Sequence, residues 1–240
     1  MRIIVNFSKN TEPVPTNNQE FINSYVHKCL GRNNDYHDSY SDYNISLLLG
    51  HSFNSNAFDF PNGGKLVIST KDAEFLNKLL SGIMVNPDLL WGMKYVNIDF
   101  IDEEFYDGVN HFFTLSPILL REILEMGKHQ DITKNDANFD EMLTKRTLNK
   151  LKVISDKQEL NLNLKGFKIT SSLNNNKRID KIAVKSKVNE ASSGIFSVTC
   201  NKKVAELLYN LGIGQSTGSG FGCICKVENI SKYKQTKTIA

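Results

Sequence analysis

The chain has 240 residues, of which 40 % are hydrophobic and 23 % charged, with a formal net charge of +3. That length and composition exclude a disordered protein and suit one large domain or two of ordinary size. No apolar run reaches the about 18 residues needed to span a bilayer, and the N-terminal MRIIVNFSKN turns polar too early for a signal peptide. Cys29, Cys200, Cys223 and Cys225 lack the spacing of a zinc site. The expectation is therefore a reduced, cytoplasmic protein with no structural metal, no cofactor and no membrane partner.

In chain order, RIIVNF (2–7) is rich in β-formers but alternates poorly, which predicts a buried strand. Phe21, Ile22, Tyr25, Val26, Cys29 and Leu30 then recur at helical spacing. Strands are predicted at 43–50 and 65–70, separated by a loop with Pro61 and Gly63-Gly64. Asp72 has the character of an N-cap for a helix with the apolar stripe Phe75, Leu76, Leu79, Leu80, Ile83 and Met84. Asn86-Pro87 ends that helix, and 94–101 is the next strand. The order β-α-β-β-α-β is that of ferredoxin-like domains.

The second half repeats the plan more loosely. Strands are predicted at 111–117, 162–170, 179–188, 194–200 and 222–227. A basic amphipathic helix covers 139–153, and a second helix, KKVAELLYNL, follows Asn201 as its cap and ends at Gly212. The fold class expected is α+β, two tandem ferredoxin-like domains over 1–108 and 109–240. Cys223 and Cys225 would share one face of the last strand.

Charge is divided unevenly between these halves. Residues 1–110 carry 8 Lys and Arg against 14 Asp and Glu, whereas residues 111–240 carry 21 against 12. Within 145–187 there are 12 basic and 3 acidic side chains, the balance expected of a polyanion-binding face, although a solvated lysine-rich surface has the same composition. Beyond the last helix, LGIGQSTGSGFGCI (211–224) holds Gly212, Gly214, Gly218, Gly220 and Gly222. A dinucleotide or mononucleotide phosphate loop runs from strand through glycines into a helix, so that the helix N-terminus meets the anion. Here the order is reversed, which excludes that use. One or two glycines would serve a tight link; five suggest a ligand lying against bare backbone.

GIGQSTGSGFG resembles the C-terminal glycine-rich signature of the CRISPR repeat-processing endoribonucleases, within the wider repeat-associated RNA-binding superfamily. Asn86-Pro87-Asp88, Thr114-Leu115-Ser116-Pro117-Ile118, Gly127-Lys128 and the helix-loop-strand of 18–50 fall in the same order as in that family, so the resemblance spans essentially the whole chain. It implies metal-independent cleavage of precursor RNA, in which a 2′-hydroxyl attacks the adjacent phosphate and leaves 2′,3′-cyclic phosphate and 5′-hydroxyl ends. Such a reaction needs a base, an acid and positive charge near the phosphorane. The family's histidine in the loop after the first helix corresponds to His37. His27 is its partner, where some relatives carry tyrosine, and Tyr43 lies near a relative's lysine. RNA contacts are expected from Gly212, Gly214, Gln215, Ser216, Gly218, Gly220 and Gly222, and from Lys128, Lys145, Arg146, Lys150, Lys181 and Lys185. The implied partners are CRISPR repeat RNA, an effector complex and a second copy of the chain. The rival reading is a subunit that grips repeat RNA without cutting it.

Overall fold

The computed structural model of the chain describes residues 1–31, 34, 36, 41–54, 56–172, 179–184 and 187–233. The first half forms β1 (Arg2–Phe7), α1 (Gln19–Leu30), β2 (Tyr43–Ile45), β3 (Gly64–Thr70), α2 (Ala73–Val85) and β4 (Tyr95–Ile101). Its antiparallel sheet has the order β2-β3-β1-β4. The second half forms β5 (Gly108–Thr114), α3 (Phe139–Lys157), β6 (Lys168–Ser171), β7 (Ile179–Val184), β8 (Lys187–Ser192), β9 (Ile195–Cys200), α4 (Lys202–Leu211) and β10 (Ile224–Lys226). Its main sheet has the order β6-β9-β5-β10, the same topology as the first. The chain is thus a pair of ferredoxin-like α+β units in tandem.

The poor alternation of β1 follows from burial on both faces. Ile3, Val5 and Phe7 join the core beneath α1 and α2, together with Leu66 and Ile68 of β3. Ile4 and Val67, directly paired across the two strands, face the other way into a seam with Leu115, Cys223, Cys225 and Tyr233. A strand apolar on both faces reads as a continuous hydrophobic run. Arg2 lies on this second face and is only 1 % exposed. Its guanidinium donates to Ser69 Oγ (2.8 Å), to the Ile224 carbonyl (2.6 Å) and to the Tyr209 carbonyl, and it stacks on the Tyr209 ring at 3.4 Å. One buried cation therefore ties β1 to both α4 and β10.

The helices follow their sequence signals. Asp72 caps α2 by accepting from Glu74 N (2.8 Å) and Phe75 N (3.1 Å), and Asn201 caps α4 by accepting from Val204 N (2.9 Å). Phe75, Leu76, Leu79 and Ile83 are buried, whereas Met84 and Phe21 stand exposed at the margins of their stripes. Phe21 instead meets Trp91 edge to face at 5.9 Å.

Four strand expectations need correction. Residues 43–50 form a regular strand only as far as Ile45: Ser46 Oγ takes the Val67 N–H at 2.9 Å, and pairing resumes only as a single bridge between Leu49 and Lys65. The strand expected at 111–117 starts at Gly108 and ends at Thr114. In 162–170, Leu162 and Leu164 pack on the second core from irregular chain, Gly166 holds φ +72°, and pairing begins only at Lys168. Finally, 179–188 is not one strand. Its residues belong to a hairpin of β7 and β8, in register from Ile179↔Ser192 to Val184↔Lys187, separate from the main sheet.

Candidate active-site cleft

A cleft of about 710 Å³ opens between the two halves. Its walls are Glu20, Asn23, Ser24 and His27 of α1, Tyr36, Ser41 and Tyr43 beyond it, Arg146, Asn149 and Lys150 of α3, and Val184 of the hairpin. Residues 214–219 of the glycine-rich loop complete it. His27 reaches the cleft because it lies off the face of α1 that carries Ile22, Tyr25, Val26, Cys29 and Leu30 into the core. Arg146, Asn149 and Lys150 reach it together because residues three and four apart share one face of a helix.

The loop is held from both sides. Asn23 Nδ2 donates to the Ser219 carbonyl at 3.1 Å, and the Asn23 side-chain oxygen in turn accepts from Gln19 Nε2 at 3.0 Å. From the second half, Arg121 N donates to Gln215 Oε1 (2.6 Å), Gln215 N to the Leu119 carbonyl (3.0 Å) and Gly222 N to the Pro117 carbonyl (2.8 Å). Ser216 has the left-handed φ of +55°, unusual for a residue with a Cβ, and stands exposed at the cleft. Such strain, held by surrounding bonds, is common where a loop meets a ligand.

The five glycines divide by role. Gly214 and Gly218 line the cleft; Gly212, Gly220 and Gly222 do not. Gly222 holds φ +66°, and a Cβ there would run into the Ile213 carbonyl, while a Cβ on Gly220 would meet the Gln19 amide. The expectation that five glycines signal a ligand is therefore corrected: all five sit where a Cβ would crowd neighbouring atoms, and two of them, Gly214 and Gly218, also line the cleft.

Lys150 departs most from its sequence reading as one of a basic tract that tracks RNA phosphates. It is only 6 % exposed, and its Nζ donates to the Leu211 carbonyl (2.8 Å) and to Thr217 Oγ1 (2.9 Å). Burial pushes its pKa down to about 7, opposed by the more distant charge of Asp42. Asp42 itself is paired with Lys157 at 2.7 Å. Tyr43 is also buried, with its ring stacked on Phe75 at 4.5 Å, and desolvation pushes its phenol up to about 12. Near neutral pH it is a hydrogen-bond donor and not a base.

The remaining expected residues are dispersed. Lys145 is exposed on α3 and lines depressions adjoining the cleft, including one it shares with Arg146 and Asn149. Lys128 is exposed near the tip of the small hairpin of Arg121–Ile123 and His129–Asp131, outside the cleft wall. Lys181 is exposed on β7 and pairs with Glu190 at 3.3 Å. His37 and Lys185 lie outside the described residues. Among the described residues, no group of three or more His, Cys, Asp and Glu is placed to hold a metal ion, and no helix is long and apolar enough to cross a membrane. Sequence reasoning passed over Asn23, Asn149 and Thr217; the spacing of Asn149 between Arg146 and Lys150 was the available signal for one of them.

Comparison with known proteins places the chain in a family. The chain is 28 % identical over 173 residues, 68 % of each protein, to a putative CRISPR-associated endoribonuclease-like protein Cas6 from Pyrococcus furiosus. A solved structure described as an RAMP protein binding different RNA substrates superposes with a TM-score of 0.81 at 19 % identity, covering 95 % of this chain and 99 % of that one. Another, of a Cas6-related gene from Pyrococcus furiosus, gives 0.80 at 21 % identity, covering 95 % and 98 %. The sequence model of "CRISPR associated protein Cas6, C-terminal" matches residues 101–225, just over half of the chain, from the end of β4 to β10 and including the whole glycine-rich loop. The chain belongs to the Cas6 family of CRISPR-associated proteins.

Proposed function

We propose that the protein is an endoribonuclease that binds repeat RNA of precursor CRISPR transcripts and cuts it within the cleft, the RNA's own 2′-hydroxyl serving as nucleophile. The observation that carries this reading is the convergence, in one interdomain cleft, of His27, the glycine-rich loop and the Arg146–Asn149–Lys150 face of α3. An imidazole titrates near working pH and suits removal of the 2′-hydroxyl proton. The cations of α3 stand where charge develops on the phosphorane. Ser216, exposed at the cleft, and the half-buried Gln215 and Ser219 beside it offer donors to phosphate or base without the bulk of long basic side chains.

His27, which lines the cleft, is one proton carrier on this reading. His37, by its resemblance to the family's loop histidine, is the second. The exposed Lys145 and Lys181, with Lys128 and Lys185, extend the basic surface that holds the RNA backbone on either side, contributing affinity more than sequence choice. No metal ion enters this mechanism: the proton transfers belong to side chains. The units 1–108 and 109–240 then act as two walls of one site. An effector complex and a second copy of the chain are further partners on this reading.

The reading is tested by incubating the purified chain with its repeat RNA and identifying the ends produced. A single cut with a 2′,3′-cyclic phosphate and a 5′-hydroxyl supports it. Tight binding with no cut favours instead an RNA-gripping subunit, the reading suggested by a structural relative described only as binding RNA substrates.

A further inference from the structure

Lys150 is a buried cation without an adjacent counter-ion. Two of its N–H bonds go to neutral acceptors, the Leu211 carbonyl and Thr217 Oγ1. An ammonium carries three donors, and among the described residues no third acceptor is present, while the side chain lines the cleft. The charged and titratable groups around it are Glu20 and His27 of α1, Tyr36, Tyr43 and the neighbouring Asp42, and Arg146 one turn earlier on α3. Asp42 engages Lys157 through Oδ2, its Oδ1 being buried without a hydrogen-bond partner, and α4 presents its terminal carbonyl to the ammonium. A buried charge paired only with neutral dipoles is unfavourable, and an anion entering the cleft would complete its coordination. Both acceptors lie in or beside the glycine-rich loop, so Nζ is held at a fixed point beside residues 214–219.

We propose that Lys150 is the general acid of the cleavage, holding the scissile phosphodiester with its third N–H and passing that proton to the departing 5′-oxygen. This rests on the RNA-cleavage reading above. In the step, the bond from the 2′-oxygen to phosphorus forms and the bond from phosphorus to the 5′-oxygen breaks. The 2′-hydroxyl proton goes to one of the two imidazoles, Lys150 takes the place of the other as acid, and its ammonium becomes a neutral amine that regains a proton from solvent after the products leave. With a pKa near 7, Lys150 has a proton to give at neutral pH and loses little in giving it. An arginine could not do this, because it does not release its proton in water at neutral pH.

The test uses the full chain and two repeat RNAs that differ at one atom, the bridging 5′-oxygen or 5′-sulfur at the cut. A thiolate leaves without being protonated. Lys150→Met is expected to cut the oxygen RNA about 10²-fold or more slowly than wild type, yet to cut the sulfur RNA within about tenfold of it. Lys150→Arg is expected to behave in the same way, charge retained but acid lost. On the wild type itself, kcat/KM for the oxygen RNA should fall above about pH 7, and that limb should be missing with the sulfur RNA. Equal loss on both RNAs, wild-type speed in either variant, or the same alkaline limb with both RNAs overturns the proposal while leaving RNA cleavage standing. A wild type that cuts neither RNA overturns the cleavage reading itself.

Discussion

Gly218 lies so close to Tyr43 that a Cβ placed on it would stand 2.9 Å from the Tyr43 Cζ and 2.5 Å from Ser41 Oγ. Ser41 can rotate aside, but Tyr43 is 2 % exposed and stacked on Phe75. Gly218→Ala should therefore lower stability by about 1–3 kcal/mol, the usual range for overpacking. It should also weaken RNA binding at temperatures where the protein remains folded, because the loop must lift from the first half. Urea midpoints and RNA titrations on the same preparations check both; unchanged stability would mean that the contact is slack.

The interdomain seam depends on Arg2. Arg2→Met would leave the Ile224 carbonyl without the guanidinium donor and the Tyr209 carbonyl with only a 3.5 Å bond from Asn44 Nδ2, and an unsatisfied buried group costs about 1–3 kcal/mol. A loss of about 1–3 kcal/mol is expected in denaturant unfolding. Cys223 and Cys225, fully buried in the seam, should at the same time react faster with a thiol reagent under native conditions.

Burial of Lys150 gives stability a definite pH dependence. Its pKa falls from an ordinary 10.5 to about 7 on folding. Below pH 7 both states hold the proton and the penalty for the buried charge is fully present. Between about 7 and 10.5 the unfolded chain holds a proton that the folded chain has released, so stability rises with pH, by at most about 1.4 kcal/mol per unit. Lys150→Met should remove this slope. The stability difference between wild type and variant should move in favour of the wild type as pH rises through that window, and a constant difference would show that Lys150 does not titrate there.

Electrostatic contacts to RNA should respond to salt. Lys145 is exposed beside the cleft, so Lys145→Ala should leave the melting temperature nearly unchanged. It should make the log–log salt slope of RNA binding shallower by up to about 0.7, the value for one phosphate on a single strand. An unchanged slope would place Lys145 off the RNA path.

The alternation of helix and strand signals was legible, as were the caps Asp72 and Asn201, because local hydrogen bonding and helical periodicity act within a few residues. The hairpin of β7 and β8 was not. Its run VKSKV carries no glycine, proline or asparagine to mark a turn. Leu162 and Leu164 mimic a strand because irregular chain can also send alternate leucines into a core. At the site, His27 was legible as a helical residue off the apolar stripe. Lys150 was counted correctly among basic residues but in the wrong environment, since its burial comes from Leu211 and Thr217, some 60 residues away in sequence. Spacing along one helix cannot reveal a partner of that kind.

The central claim is that the cleft cuts RNA with the RNA's own hydroxyl. The most direct measurement replaces the single 2′-hydroxyl on the 5′ side of the cut by hydrogen and follows cleavage and binding in excess EDTA. The account predicts that unmodified repeat RNA is cut at one phosphodiester, that the deoxy RNA binds with the same affinity but is not cut, and that His27→Ala slows the normal reaction by about 10²-fold. Cleavage of the deoxy RNA at the wild-type rate, or a strict requirement for a divalent cation, would contradict it.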